Sequence, residues 1–331
     1  MIRLASLLAL AGLALATFLV VRHGWSEILG ALAVAGPGLI WASLFHFVPM
    51  IANARAWQAL IPGRGRPALG FFLWIAWVRE AVNGLLPVAR IGGEVASARL
   101  MVQRGLGTAT SVASIVVDTT LGIATQFLVT IAALALLASE IQDAAIIARI
   151  SLGVALAIPV VGALLLIQRI GFFELLRRAR HFLVGDRDWD LLAGGPLRVD
   201  RAVRMLYRRR RRILVCCLFQ TIGWMSGAGE IYLFLLFLDH PVTLADAFIL
   251  EALAQAVSSA AFVVPGAIGV QEGSFLLFGQ ILGLSPETAL ALALARRVRD
   301  LVIFLPVLLV WQAIEGRRLL RRGGRSRRLA E

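Results

Sequence analysis

The sequence predicts an all-α, polytopic membrane protein, on three observations. The 331-residue chain is 59% apolar and 16% charged, against about 45–50% and about 25% for soluble domains. Its apolar residues gather into uncharged or sparsely charged runs long enough to cross a bilayer as helices. Its 33 basic residues, all arginine, collect mostly between those runs. A soluble fold this apolar would expose large greasy patches, so soluble and disordered classes are excluded.

Taken in order, residues 4–21 follow Arg3 without a charge. The run outlasts the 7–15 residues of a signal-peptide core, so it reads as an uncleaved first span. Residues 29–60, 108–138, 145–168, 213–238 and 287–312 supply five more, making six full spans. The loop 169–212 holds 13 arginines and the tail 317–331 holds 7. With Arg3, Arg104 and the arginines of 55–66 they fall on one side, while Glu140, Asp143 and Asp239 fall on the other. Arginine-rich loops face the cytoplasm, which places both termini there, with 169–212 and 317–331 as a basic cytoplasmic loop and tail. Most of the tryptophans (Trp25, Trp41, Trp57, Trp74, Trp77, Trp311) read as interfacial anchors.

Two regions resist this scheme. Residues 68–104 must begin and end in the cytoplasm, and residues 244–284 must begin and end outside. Each has two short arms interrupted by proline and glycine: Leu86-Pro87 with Gly92-Gly93, and Val264-Pro265-Gly266 with Gly269. Proline removes a backbone donor and breaks a helix, and broken backbone at membrane depth is tolerated only inside protein or along a wet cavity. These are read as two re-entrant helical hairpins entering from opposite faces; the competing reading is four short tilted spans. The two regions match at a constant offset of 178 residues, Pro87 with Pro265, Glu94 with Glu272, Gly105-Leu106 with Gly283-Leu284 and Thr110 with Thr288. The pattern predicts an inverted repeat with cores at 68–130 and 244–312 in one transmembrane domain spanning 1–331. Such repeats carry substrate near the midplane, where their broken helices meet.

A charge inside an apolar span costs about 2.5–3.5 kcal/mol on insertion scales and so marks pairing or a cavity. The first broken region carries Arg79, Glu80, Asn83, Arg90, Glu94 and Arg99, with Arg79 and Asn83 sharing a helix face at i,i+4. Glu94 follows Gly92-Gly93 and Glu272 follows Gly269, so both are expected in a first helical turn, where the dipole favours a carboxylate. The last span carries Arg296, Arg297, Arg299 and Asp300 about ten residues in. Asp118 falls opposite Arg296 in the repeat, so an Asp118–Arg296 pair is an expectation. Glu230 is a further buried acid, beside the close-packing spacing Gly223-x3-Gly227. The candidate substrate-binding set is thus Arg79, Asn83, Arg90, Glu94, Arg99, Asp118, Glu272, Arg296 and Arg297. The plainer reading makes these charges mutual salt bridges. Arginine forks suit phosphate and carboxylate, so an anionic head group is the expected occupant.

Several chemistries are excluded or left without support. The absence of lysine removes Schiff-base lysines and the phosphate loop that needs Gly-Lys-Ser/Thr. Cys216 and Cys217 are adjacent and form no metal or redox spacing. His23, His46, His181 and His240 lack zinc-ligand spacing, so no metal or cofactor is expected. The Arg208–Arg212 block abuts the membrane and reads as an orientation signal or an anionic-lipid contact, not as a nucleic-acid site.

The stretch Trp77-Val78-Arg79-Glu80-Ala81-Val82-Asn83-Gly84-Leu85-Leu86-Pro87-Val88-Ala89-Arg90-Ile91-Gly92-Gly93-Glu94, with Val264-Pro265-Gly266-Ala267-Ile268-Gly269-Val270-Gln271-Glu272-Gly273 and Ala295-Arg296, resembles the transmembrane domain of lysylphosphatidylglycerol synthases and their flippase-like relatives. Within that family it is most similar to the hopanoid-biosynthesis-associated branch. The resemblance implies a bacterial inner-membrane protein that moves anionic or hopanoid lipids between leaflets, with lipid-biosynthesis enzymes as possible partners. No aminoacyl-transferase domain follows, so a lipid-lysylating enzyme is not expected. The rival functions are an intramembrane head-group transferase and a scaffold acting through loop 169–212.

Overall fold

The computed structural model describes residues 30, 33, 36–61, 63, 66–86, 91–140, 196–261 and 264–328. The expected spans 4–21 and 145–168, Arg90 and most of the basic loop lie outside the described residues. Among those described, the regular structure is all helical. The helices are α1 (Gly38–Phe45), α2 (Phe47–Leu60), α3 (Leu69–Leu85), α4 (Gly92–Gln103), α5 (Thr108–Glu140), α6 (Pro196–Tyr207), α7 (Arg210–Phe237), α8 (Leu244–Ala260), α9 (Val270–Ile281) and α10 (Pro286–Arg328). A short 3-10 turn, Pro265–Ala267, lies between α8 and α9.

Two of these helices, α5 over Thr108–Ser139 and α7, are long and apolar enough to cross a membrane. The start of α10 coincides with the last expected span but carries five charges. On that helix Val298, Leu301, Val302, Leu305 and Leu309 are exposed, whereas Arg296 and Arg299 are buried. α7 likewise exposes Leu214, Leu218, Ile222 and Met225 and buries Glu230. Polar side chains inward and a helical stripe of apolar ones outward reverse the pattern of a soluble helix. It is the arrangement a lipid solvent selects.

The expected span 29–60 is instead broken at His46 into α1 and α2. Pro49 explains the break: it has no N–H for the carbonyl of Phe45, and its ring crowds that carbonyl. The chain tightens there, the His46 N–H bonding the carbonyl of Ser43 at 3.1 Å.

The two broken regions share their helix lengths. α3 and α8 have 17 residues each, α4 and α9 have 12 each. Twelve residues rise about 18 Å, short of the roughly 30 Å hydrocarbon core. α4 and α9 begin 178 residues apart, as do α5 and α10. The repeated Gly-Leu is their common stop signal. Gly105 and Gly283 take φ +92° and +81°. Leu106 N–H then bonds the carbonyl of Met101 at 3.1 Å, and Leu284 N–H that of Gly279 at 2.8 Å. This is the left-handed cap that glycine allows.

Two large buried apolar clusters, with a smaller one between α5 and α8, hold the helices. One unites α2 to α6 with the start of α7 and the middle of α10, around Trp57, Phe72, Met101 and Phe304. The other unites α1, the end of α7, α8, α9 and the start of α10, around Phe234, Phe275 and Leu290. α7 and α10 run through both clusters and carry their polar residues to the boundary between them.

Candidate functional site

The kink at Pro49 presents His46 to a buried charged cluster. Arg299 of α10 pairs with Glu230 of α7, with relative exposures of 4% and 2%. Arg299 also donates to Asp300 Oδ1 at 2.6 and 3.1 Å. His46 Nδ1 lies 2.9 Å from Glu230 Oε2 and 2.9 Å from Arg299 Nη1, while Nε2 lies 3.4 Å from Glu80 Oε2 on α3. Phe304 packs edge-on against the imidazole, with centroids 5.7 Å apart.

On either side lies a bridge joining the helix before a broken region's short arm to the helix after it. In the first half Arg79 of α3 donates to Asp118 Oδ2 of α5 at 2.9 Å. Gln220 of α7 donates to the other Asp118 oxygen at 2.9 Å, and the Arg79 guanidinium lies 4.8 Å from the Trp57 ring centroid. In the second half Glu251 of α8 accepts both arms of Arg296 of α10, and Arg296 lies 5.5 Å from the Phe275 ring centroid. The expected Asp118–Arg296 pair does not form, because each residue is claimed within its own half. The polarity is also exchanged: the base precedes the acid in one half and follows it in the other.

The short arms are held at their N-termini as anticipated. Glu94 sits in the first turn of α4. Asn83 bridges it to the backbone, its Nδ2 donating to Glu94 Oε2 at 3.2 Å and its Oδ1 accepting the Gly93 N–H at 2.9 Å. Glu272 sits in the first turn of α9 and accepts the Gly269 N–H at 2.7 Å. Arg297 donates to Glu272 Oε1 at 2.8 Å and to the carbonyl of Gly266 at 2.6 Å. The two broken regions touch here: a Cβ on Gly266 would lie 2.9 Å from the carbonyl oxygen of Gly84 at the end of α3. Arg99 stands apart, paired with Glu315 farther along α10.

The Gly223-x3-Gly227 spacing admits polar side chains from neighbouring helices. A Cβ on Gly223 would lie 2.6 Å from Asn53 Oδ1, and one on Gly227 would lie 2.9 Å from Glu251 Oε1. Trp57 and Trp77 are internal rather than interfacial. Trp57 is fully buried and donates to Ser114 Oγ at 3.1 Å, and Trp77 donates to the carbonyl of Ile303 at 3.0 Å.

Sequence reasoning missed His46, Glu251 and Gln220. Glu251 was detectable as the one charge between Asp246 and Glu272 in an otherwise apolar stretch. His46 lacks metal-ligand spacing, but its place inside an apolar run carries the same signal. Among the described residues no group of three or more His, Cys, Asp or Glu side chains is placed to hold a metal.

Most of the buried charge is matched, yet four buried donors have no acceptor among the described residues: Arg55 Nη1, Ser97 Oγ, Gln271 Nε2 and Arg296 Nε; the last two lie on α9 and α10 beside the second broken region. Gln271 and Phe275 are i,i+4 on α9 and share a face, and Arg296 lies over Phe275. Arg296 therefore stands over the face of α9 that carries Gln271.

The family model described as Lysylphosphatidylglycerol synthase TM region matches residues 4–307. No curated protein and no solved structure matches the chain.

Proposed function

The chain belongs to the lysylphosphatidylglycerol synthase transmembrane-region family, and on that basis we propose that it is a lipid transporter of the bacterial inner membrane, carrying an anionic or hopanoid lipid between leaflets. In this reading the broken regions 68–104 and 244–284 are re-entrant hairpins of an inverted repeat. The head group passes where they abut, at Gly84 and Gly266, while the tails stay in the bilayer. The protein makes and breaks no covalent bond in the lipid.

The observation that carries the reading is the pair of idle donors. A buried N–H without an acceptor costs about 1–3 kcal/mol. Arg296 Nε and Gln271 Nε2 would recover that cost from the oxygens of a phosphate or carboxylate. Arg297 and Glu272 hold the break rigid beside them, and Asn83 and Glu94 do the same for α4.

Translocation of a fluorescent phosphatidylglycerol by the full chain in proteoliposomes tests this. Gln271→Ala removes a group with no protein partner, so the fold survives, and the rate is expected to drop about tenfold, the worth of one hydrogen bond to a charged group. Arg296→Ala and Glu94→Gln are expected to abolish it. Unchanged transport in Gln271→Ala and Arg296→Ala removes the site assignment.

A further inference from the structure

His46 Nδ1 has two neighbours that demand opposite things of it. Arg299 Nη1, at 2.9 Å, is always a donor, so it requires a lone pair on Nδ1. Glu230 Oε2, also at 2.9 Å, is an acceptor when ionised, so it requires a hydrogen there. One nitrogen cannot serve both at once. The groups facing the ring from each packed element are Glu80 on α3, Glu230 on α7, and Arg299 and Asp300 on α10, with the Arg296–Glu251 bridge one turn beyond. Three carboxylates thus face one guanidinium in the inner ring, an excess of negative charge that one proton would reduce.

From this geometry we infer that His46 is the binding site for a coupling proton, which drives the lipid movement proposed above; the coupling rests on that reading, the proton site does not. In the unloaded state the imidazole is neutral, with its hydrogen on Nε2 toward Glu80 and its Nδ1 lone pair accepting from Arg299. Loading adds one proton at Nδ1. The new N–H donates to Glu230 Oε2, and the Arg299 N–H turns to Glu230 Oε1, which it already contacts. Nothing else is exchanged. The joint between α1 and α2 loses its tie to α10 and gains one to α7. Arg296 lies within one turn of Arg299 on α10, so the helix that feels the proton also carries one of the two proposed lipid donors. Glu80, 28% exposed, opens the cluster to its surroundings.

Two measurements on the full chain test this. In the first, His23, His181 and His240 are replaced by glutamine and the remaining imidazole is followed by nitrogen NMR. The expected result is a neutral form with hydrogen on Nε2 at high pH and protonation of Nδ1 as the pH is lowered. A neutral form with hydrogen on Nδ1, or no titration, overturns the site. In the second, phosphatidylglycerol asymmetry is read in vesicles under a gradient of about one pH unit, which is worth about tenfold if one proton moves per lipid. Wild type is expected to approach that ratio and His46→Gln to show a ratio near one. Lipid movement in wild type that ignores the gradient overturns the coupling and leaves the transport reading standing. No lipid movement at all removes both, and the imidazole titration then decides the proton site by itself.

Discussion

Asp118 shows what one buried carboxylate needs. It is 2% exposed and satisfied from two directions, by Arg79 and by Gln220. Removing one partner of a buried pair costs about 3–5 kcal/mol, because the other charge stays behind, whereas replacing both by apolar groups is often close to neutral. Arg79→Met is therefore expected to lower stability by that amount in detergent thermal unfolding, and Arg79→Met with Asp118→Leu to restore most of it. A double variant no better than the single would mean the arginine acts outside the pair. Residue chemistry was legible in the sequence where it is local. Glu94 and Glu272 are legible as first-turn residues because a carboxylate there serves its own helix, and the Gly-Leu pair is legible because it recurs at the 178-residue offset. Partner choice was not legible. Arg79 reaches Asp118 across 39 residues, Arg296 reaches Glu251 across 45, and Arg299 reaches His46 across 253; such pairings follow from how helices cross, which no spacing rule records.

Helix by helix, the long apolar elements at 108–138 and 213–238 were readable from length alone, and the structure gives α5 and α7 there. The division at His46 was concealed by an apolar run that continues straight across it. Only the missing N–H of Pro49 betrays it. Glycines set the contacts between helices. Gly227→Ala would place a methyl group 2.9 Å from Glu251 Oε1 and displace the carboxylate that holds Arg296. The expected loss is about 1–3 kcal/mol, as for other overpacked sites, read as a lowered midpoint of thermal unfolding. Gly266→Ala meets two obstacles. Its φ of +59° lies in the left-handed region, and the methyl would stand 2.9 Å from the Gly84 carbonyl. The conformational part alone costs about 1–2 kcal/mol, so this variant is expected to unfold earlier than wild type, and a wild-type midpoint would contradict the contact between the two broken regions.

For the molecule as a whole, the proposed inverted architecture predicts sidedness. Gln103 and Gln280 are exposed near the ends of α4 and α9. With Cys216 and Cys217 replaced, Gln103→Cys is expected to react with a membrane-impermeant maleimide from the cytoplasmic side only, and Gln280→Cys from the outer side only. Labelling of both from one side would end the inverted reading. The exchanged polarity of the two bridges has a consequence for biogenesis. Arg79 finds Asp118, and Glu251 finds Arg296, without any help from the opposite half. Each half is therefore expected to enter the bilayer with its own buried ion pair formed, without waiting for the rest of the polypeptide to be synthesised. A gene cut between the halves and expressed as two pieces should yield fragments that enter the bilayer separately and then find each other.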